Sequence, residues 1–268
     1  MTYDDIRVVT RGPATWISLD RPETMNAVRP RTYAERVDAF TAADADRGTR
    51  CIVLTGTGRG FCAGDDFNEI FFSKDAHPSR RTEATLDRYR NREGAATPVV
   101  GAIMNCTKPT IAAVNGPAVG MDLALLCDMR IAASSTKLGS CFVRRGVVGS
   151  IGGTYLLPRS IGLSRAMKLR LSGELLTAEQ ALAMGIESRV VPDAELHAAV
   201  DALVDKLSWG APLAQRAIKR VVRKGMTLDP AALEEYSRLI SGELWRTEDH
   251  REGVQSHVDR RKPTFTER

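Results

Sequence analysis

Twice along this chain of 268 residues a short apolar run leads into a glycine-rich loop and then into a helical pattern: residues 51–55 into 56–65, and 110–114 into 115–120. That repeat constrains the fold more than any other feature. Parallel strands need a long crossover, usually a helix, so strands alternating with loops and helices predict an α/β chain with parallel pairing. Before the first repeat, residues 6–10 and 14–19 flank Gly12-Pro13 and read as a hairpin, and residues 32–45 carry a helical stripe at Tyr33, Val37, Phe40 and Ala43. After a further strand over 128–133 the pattern becomes helical. Thr177 and Gln180 form a capping box for a helix that stops at Gly185, and Pro192-Asp193 opens the next, with Leu196, Val200, Leu203 and Leu207 on one face. Residues 212–224 are closed by Gly225, and Asp229-Pro230 caps a helix running to about Trp245. The reading divides the chain into a core over 1–195 and a helical region over 196–268, whose apolar faces are expected to make subunit contacts. Residues 72–97, rich in Arg, Asp and Glu, read as a polar insertion or an exposed helix.

With 43% hydrophobic and 26% charged residues the chain can bury a sizeable core, which excludes a disordered protein. The net charge is +5, and 30 of the 38 basic residues are arginine, whose planar fork suits phosphate and carboxylate. Composition alone fits an anionic partner or simply a solvated arginine-rich surface. Residues 1–5 hold two acids and no apolar stretch, and the longest uncharged run, 109–121, is too short to cross a bilayer, so neither a signal peptide nor a membrane span is expected. Five cysteines without a CxxC predict buried thiols in a reducing compartment, by default the cytoplasm. Four scattered histidines show no metal-ligand spacing, so no metal is expected. Gly56-Thr57-Gly58-Arg59-Gly60-Phe61 misses a dinucleotide fingerprint because Phe61 stands where glycine is required, and Val148 denies Ser150 a nucleophile elbow.

The two glycine-rich loops are where chemistry could reside. Residues 61–67 and 115–123 each run from a strand end through small residues into a helix start, which leaves backbone N–H groups uncovered. Facing each other, two such loops could hold one oxygen between two donors, an oxyanion hole in which each donor is worth about 3–4 kcal/mol. They could equally be two tight turns that need glycine for a positive φ.

Five ordered blocks carry a resemblance. Arg21-Pro22-Glu23-Thr24-Met25-Asn26-Ala27, Gly60-Phe61-Cys62-Ala63-Gly64-Asp65-Asp66-Phe67, Ala113-Val114-Asn115-Gly116-Pro117-Ala118-Val119-Gly120, Gly152-Gly153-Thr154 with Leu157-Pro158-Arg159, and Glu248-Asp249-His250-Arg251-Glu252-Gly253 with Lys262-Pro263 resemble the crotonase, or enoyl-CoA hydratase/isomerase, superfamily. The resemblance implies a superhelix of β-β-α turns, a C-terminal helical trimerisation region, and a homotrimer or a hexamer built from two trimers. It implies a coenzyme A thioester as substrate, with coenzyme A entering as part of that substrate and no separate cofactor. The backbone N–H groups of Asp65 and Gly120 would bind the thioester oxygen. Met25, Ala27, Ala63, Gly64, Asp66 and Phe67 would border the coenzyme, and Arg29, Arg260 and Lys262 are candidates for its phosphates. Asp122 stands where a family acid lies.

The sequence also departs from the family. Hydration there uses two carboxylates, and the second position is Phe142, which cannot move a proton and reads as a wall of the acyl pocket. The acid position of isomerase members is Ser150, and the loop from Asn115 lacks part of its Gly-Xaa-Gly stretch. For Asp65 and Asp66 the side chains read as loop and cap groups. Asp122 could instead be a helix-start acid favoured by the dipole. Three readings follow: an acyl-CoA enzyme of the enoyl-CoA hydratase kind that stabilises a thioester enolate, an isomerase using Asp122 alone, or a non-catalytic acyl-CoA binder. Nucleic-acid binding through the basic surface has no motif behind it, since aromatics between basic residues are scarce.

Overall fold

The computed structural model describes residues 2–71, 98–149 and 152–268. The insertion at 72–97 and Ser150 lie outside the described residues.

Strands β1 (Ile6–Arg11) and β2 (Ala14–Leu19) form the expected hairpin, followed by α1 (Pro30–Ala45) and β3 (Cys51–Gly56). Helix α2 (Pro98–Met104) precedes β4 (Thr110–Val114), the short α3 (Met121–Leu125) and β5 (Met129–Ala133). The sheet order is β1-β2-β3-β4-β5-β8, with β8 at Arg189–Val191; β1 is antiparallel to β2 and every other pairing is parallel. This is the mixed α/β fold that the strand–loop–helix repeats predict.

Strand β3 shows why its sequence reads as an unbroken apolar run. Side chains alternate between faces, and both faces are covered. Ile52 and Leu54 pack in one core with Phe40 of α1, while Cys51 and Val53 pack in a second core with Leu196, Val200 and Val204 of α7 (Leu196–Ser208). All five cysteines are buried thiols.

Helix α4 (Gly153–Ile161) lies beyond β5, and two expectations change in this part of the chain. Lys137–Gly139 (β6) and Leu175–Thr177 (β7) pair antiparallel as a small second sheet, where the sequence reading was helical. Three residues are too few to show a period of two. Gly225 follows α8 (Pro212–Lys224) with φ −60°, so that helix ends without the left-handed glycine expected there. The caps do form. Thr177 N–H donates to Gln180 Oε1 at 2.9 Å while Gln180 N–H donates to Thr177 Oγ1 at 3.3 Å, opening α6 (Ala178–Met184), and Asp229 Oδ1 accepts from Ala231 and Ala232 at the start of α9 (Pro230–Leu244).

Candidate active site

The site forms at the carboxyl ends of β3 and β4, where open parallel sheets place their ligand crevices. Three loop segments are stitched side by side there. Phe61 and Cys62 N–H both donate to the Pro117 carbonyl at 3.1 and 3.3 Å, Val28 N–H donates to the Gly64 carbonyl at 2.8 Å, and Asp66 N–H donates to the Val28 carbonyl at 2.8 Å. Asn26 fixes the arrangement from below, its Nδ2 donating to the Thr57 and Gly60 carbonyls at 2.9 and 2.7 Å. A Cβ on Gly116 would lie 2.1 Å from the Arg59 carbonyl oxygen, so only glycine lets the second loop approach the first.

This weave brings together most of the residues expected to border a coenzyme. Met25 accepts from Ala63 N–H at 2.9 Å, Ala27 accepts from Arg21 Nη1 at 2.7 Å, and Gly64 sits opposite Val28. Asp66 is a cap, as expected. Its Oδ1 accepts from Asn68 and Glu69 N–H, its Oδ2 pairs with Arg21 at 2.9 Å, and these bonds hold its carboxyl below the ordinary range despite burial. Phe67 lies under the Arg145 guanidinium at 4.7 Å. Two of the basic candidates have contacts of their own. Arg29 has Nε and Nη2 bonded to Asp5 at 2.8 and 2.7 Å, bracing the start of α1. Lys262 lies over the Trp209 ring at 5.0 Å and does not line the cavity between the two loops.

That cavity is small, and charged side chains reach its walls. It has a volume of about 20 Å³, and its walls include Tyr33, Arg36, Asp65, Gly120, Asp122 and Phe142. Such a space holds one water or one oxygen atom. Among the described residues the Asp65 N–H donates to no acceptor, but Gly120 N–H donates to the Cys62 carbonyl at 3.0 Å. The expected pair of open donors is therefore one donor in this conformation. The shortened loop turns directly onto Cys62, where a Cβ at Gly120 would come within 2.7 Å of Sγ.

Asp122 is 2% exposed at the start of α3 and faces the same cavity. Arg170, in α5 (Leu163–Ser172), holds both of its oxygens and also donates to Ser140 Oγ at 2.7 Å. Burial raises the Asp122 carboxyl above its ordinary value, with the bonds and charge of Arg170 opposing. Phe142 opens the 3-10 turn Phe142–Arg145 and lines both the small cavity and an apolar groove of about 410 Å³ that includes Val147, Val148, Met167 and Leu171. It is placed as a wall shared by the small cavity and the apolar groove.

The sequence reading passed over two residues. Arg170 gives no local signal. Arg36 does: it lies three residues after Tyr33 and four before Phe40, on the apolar stripe of α1, and it is 1% exposed. A charge on a core-facing stripe is the kind of inconsistency that marks a functional or paired group. The Tyr33 hydroxyl donates to Asp65 Oδ1 at 2.5 Å, so the Asp65 carboxylate also reaches this cluster.

A family model described as enoyl-CoA hydratase/isomerase matches residues 13–268. The chain is 36% identical to an (E)-benzylidenesuccinyl-CoA hydratase of Thauera aromatica, over 93% of this chain and 94% of that protein. It is 35% identical to a 1,2-epoxyphenylacetyl-CoA isomerase of Escherichia coli, over 96% of each. An enoyl-CoA hydratase subunit I structure from Geobacillus kaustophilus superposes with a TM-score of 0.87 at 33% identity, covering 99% of both chains.

Proposed function

Starting from the fact that this chain belongs to the enoyl-CoA hydratase/isomerase family and is an enzyme of that type, we propose that it moves a proton on an acyl-CoA thioester through an enolate, using Asp122 as its single proton carrier. One observation carries this reading: Phe142 occupies the second wall of the cavity, where a hydratase would need a second acid, while Asp122 faces it from the start of α3. A single carboxylate can take a proton from one carbon and return it to another. Hydration must also activate water and supply the α-proton. Burial gives the Asp122 carboxyl a higher affinity for that proton than it would have in water.

A second reading has its own support. The Asp65 carboxylate, on the Tyr33 hydroxyl, borders the same cavity as Asp122, so a two-carboxylate hydration with Asp65 in the second role fits the placement. A 3-enoyl-CoA and crotonyl-CoA separate the two. Isomerisation creates conjugated-thioester absorbance from the former, and hydration removes it from the latter. The one-acid reading expects the first rate to exceed the second at least tenfold, and crotonyl-CoA consumed as fast as the 3-enoyl substrate is isomerised would favour the second.

In the assembled protein we place a homotrimer, or two trimers as a hexamer, using the C-terminal helices. Ile218, Val222, Leu239 and Trp245 are 61–70% exposed there, apolar surface that suits burial against further copies. Coenzyme A enters as part of the substrate and the cytoplasm is its compartment in this reading. Among the described residues no helix is long and apolar enough to cross a membrane.

A further inference from the structure

Arg36 is a fully buried guanidinium, and none of its three nitrogens has a hydrogen-bond partner among the described residues. It stacks over the Tyr33 ring at 4.8 Å and lines the 20 Å³ cavity together with the loop residues Asp65 and Gly120 and the acid Asp122. A buried charge without hydrogen bonds is costly, and a chain keeps one only where something else compensates. Burial works against its charged form and lowers the guanidinium below its ordinary value; the nearby Asp65 carboxylate opposes this, but that carboxylate accepts its hydrogen bond from the Tyr33 hydroxyl.

Two further facts define what Arg36 faces. Gly120, the expected second donor to a thioester oxygen, has its N–H on the Cys62 carbonyl. Asp65 places a carboxylate beside the same spot, and a developing oxyanion there would be repelled unless a cation sat close by; among the described residues Arg36 is the only basic one in the cavity wall.

We infer that Arg36 is a catalytic residue that donates to the thioester oxygen as it becomes an enolate oxygen, in the place of the Gly120 N–H. The inference rests on the acyl-CoA reading of this site. Its guanidinium and the Asp65 N–H then act as the two donors, and the cavity of one-oxygen size is the position that oxygen takes. The arrangement also accounts for the unsatisfied nitrogens, since their acceptor arrives with the substrate. A fixed cation favours the enolate over the neutral carbonyl, which is the differential binding that catalysis requires.

The test uses 4-(dimethylamino)cinnamoyl-CoA, a push–pull thioester whose absorption moves to the red when its carbonyl oxygen is hydrogen-bonded or faces a positive charge. The wild-type protein should bind it with a red shift. Arg36→Met should lose at least half of that shift while binding free coenzyme A within twofold of wild type, and Arg36→Lys should recover part of it. Should Arg36→Met fail to fold, Arg36→Leu, shorter and without any donor, carries the same expectation. A wild-type shift retained in folded Arg36→Met or Arg36→Leu overturns the inference, as does a wild-type protein that binds the probe without any shift. Both of those results leave the acyl-CoA reading standing. If neither free coenzyme A nor the probe binds wild type, the acyl-CoA reading itself falls, and the role of Arg36 falls with it.

Discussion

Arg170 closes on both carboxylate oxygens of Asp122, Nη2 to Oδ1 at 2.7 Å and Nη1 to Oδ2 at 3.0 Å, across 48 positions of sequence. The proton carrier of the proposed reaction is thus a buried acid whose charge is held by one partner. Burial and Arg170 act on it in opposite directions, and the balance between them sets the pH at which it can accept a proton.

Removing that partner should move the pH profile in a defined direction. Arg170→Met deletes the two influences that lower the Asp122 carboxyl and leaves the burial that raises it, so the acid limb of the activity profile moves to higher pH. Breaking a buried pair also costs about 3–5 kcal/mol of stability, which denaturant unfolding reads separately. An unshifted limb in a folded Arg170→Met protein would show that Asp122 does not set the profile.

Gly153 is held by the same pair. A Cβ there would lie 2.3 Å from Asp122 Cγ and 2.1 Å from Arg170 Nη2, so Gly153→Ala should push the pair apart. The expected cost is about 1–3 kcal/mol with a loss of activity, measured by thermal unfolding and turnover. Gly242→Ala, in α9, is a control for space, because nothing lies within 4 Å of its Cβ and its backbone is helical.

Phe142→Glu restores a carboxylate to the second wall of the cavity. Crotonyl-CoA hydration should rise at least tenfold over wild type, since a positioned acid or base contributes about 10²–10⁴ in rate. Unchanged hydration in a folded protein would mean that the absence of an acid at 142 is not what limits water addition.

Away from the site, Glu187 carries a penalty that depends on pH. It is 3% exposed, neither of its carboxylate oxygens is hydrogen-bonded among the described residues, and burial pushes its carboxyl up from 4.5 to about 7, with Arg130 opposing. Between those two values the folded state binds more protons than the unfolded state, so stability falls as pH rises and then levels off above about 7. The penalty approaches about 3 kcal/mol at its plateau. Glu187→Gln should therefore raise Tm by several degrees at pH 8 and by much less at pH 5, as read by calorimetry.

Much of this was legible because it is local. The hairpin about Gly12-Pro13, the Thr177 capping box and the Asp229 cap each depend on residues a few positions apart. The loops around Asp65 and Asn115 were legible as loops for the same reason, and Phe142 as a wall because its chemistry excludes proton transfer. What escaped is tertiary. Nothing near Asp122 announces Arg170, which lies 48 positions further along the chain and meets it only in the tertiary structure. The same holds for the contact between Arg29 and Asp5. Arg36 was in plain view as a charge on an apolar stripe, and reading that stripe for its exceptions would have found it.

The most direct test of the single-carrier account follows hydrogen rather than rate alone. A 3-enoyl-CoA is isomerised in deuterium oxide, and the product is analysed for deuterium at the γ-carbon, in wild type and in Asp122→Asn. A buried lone carboxylate that lifts a proton from the α-carbon and returns it to the γ-carbon predicts product with less than one full deuterium there, and about a 10²–10⁴-fold loss of rate in Asp122→Asn. Full deuterium incorporation together with an unchanged rate in Asp122→Asn would contradict it.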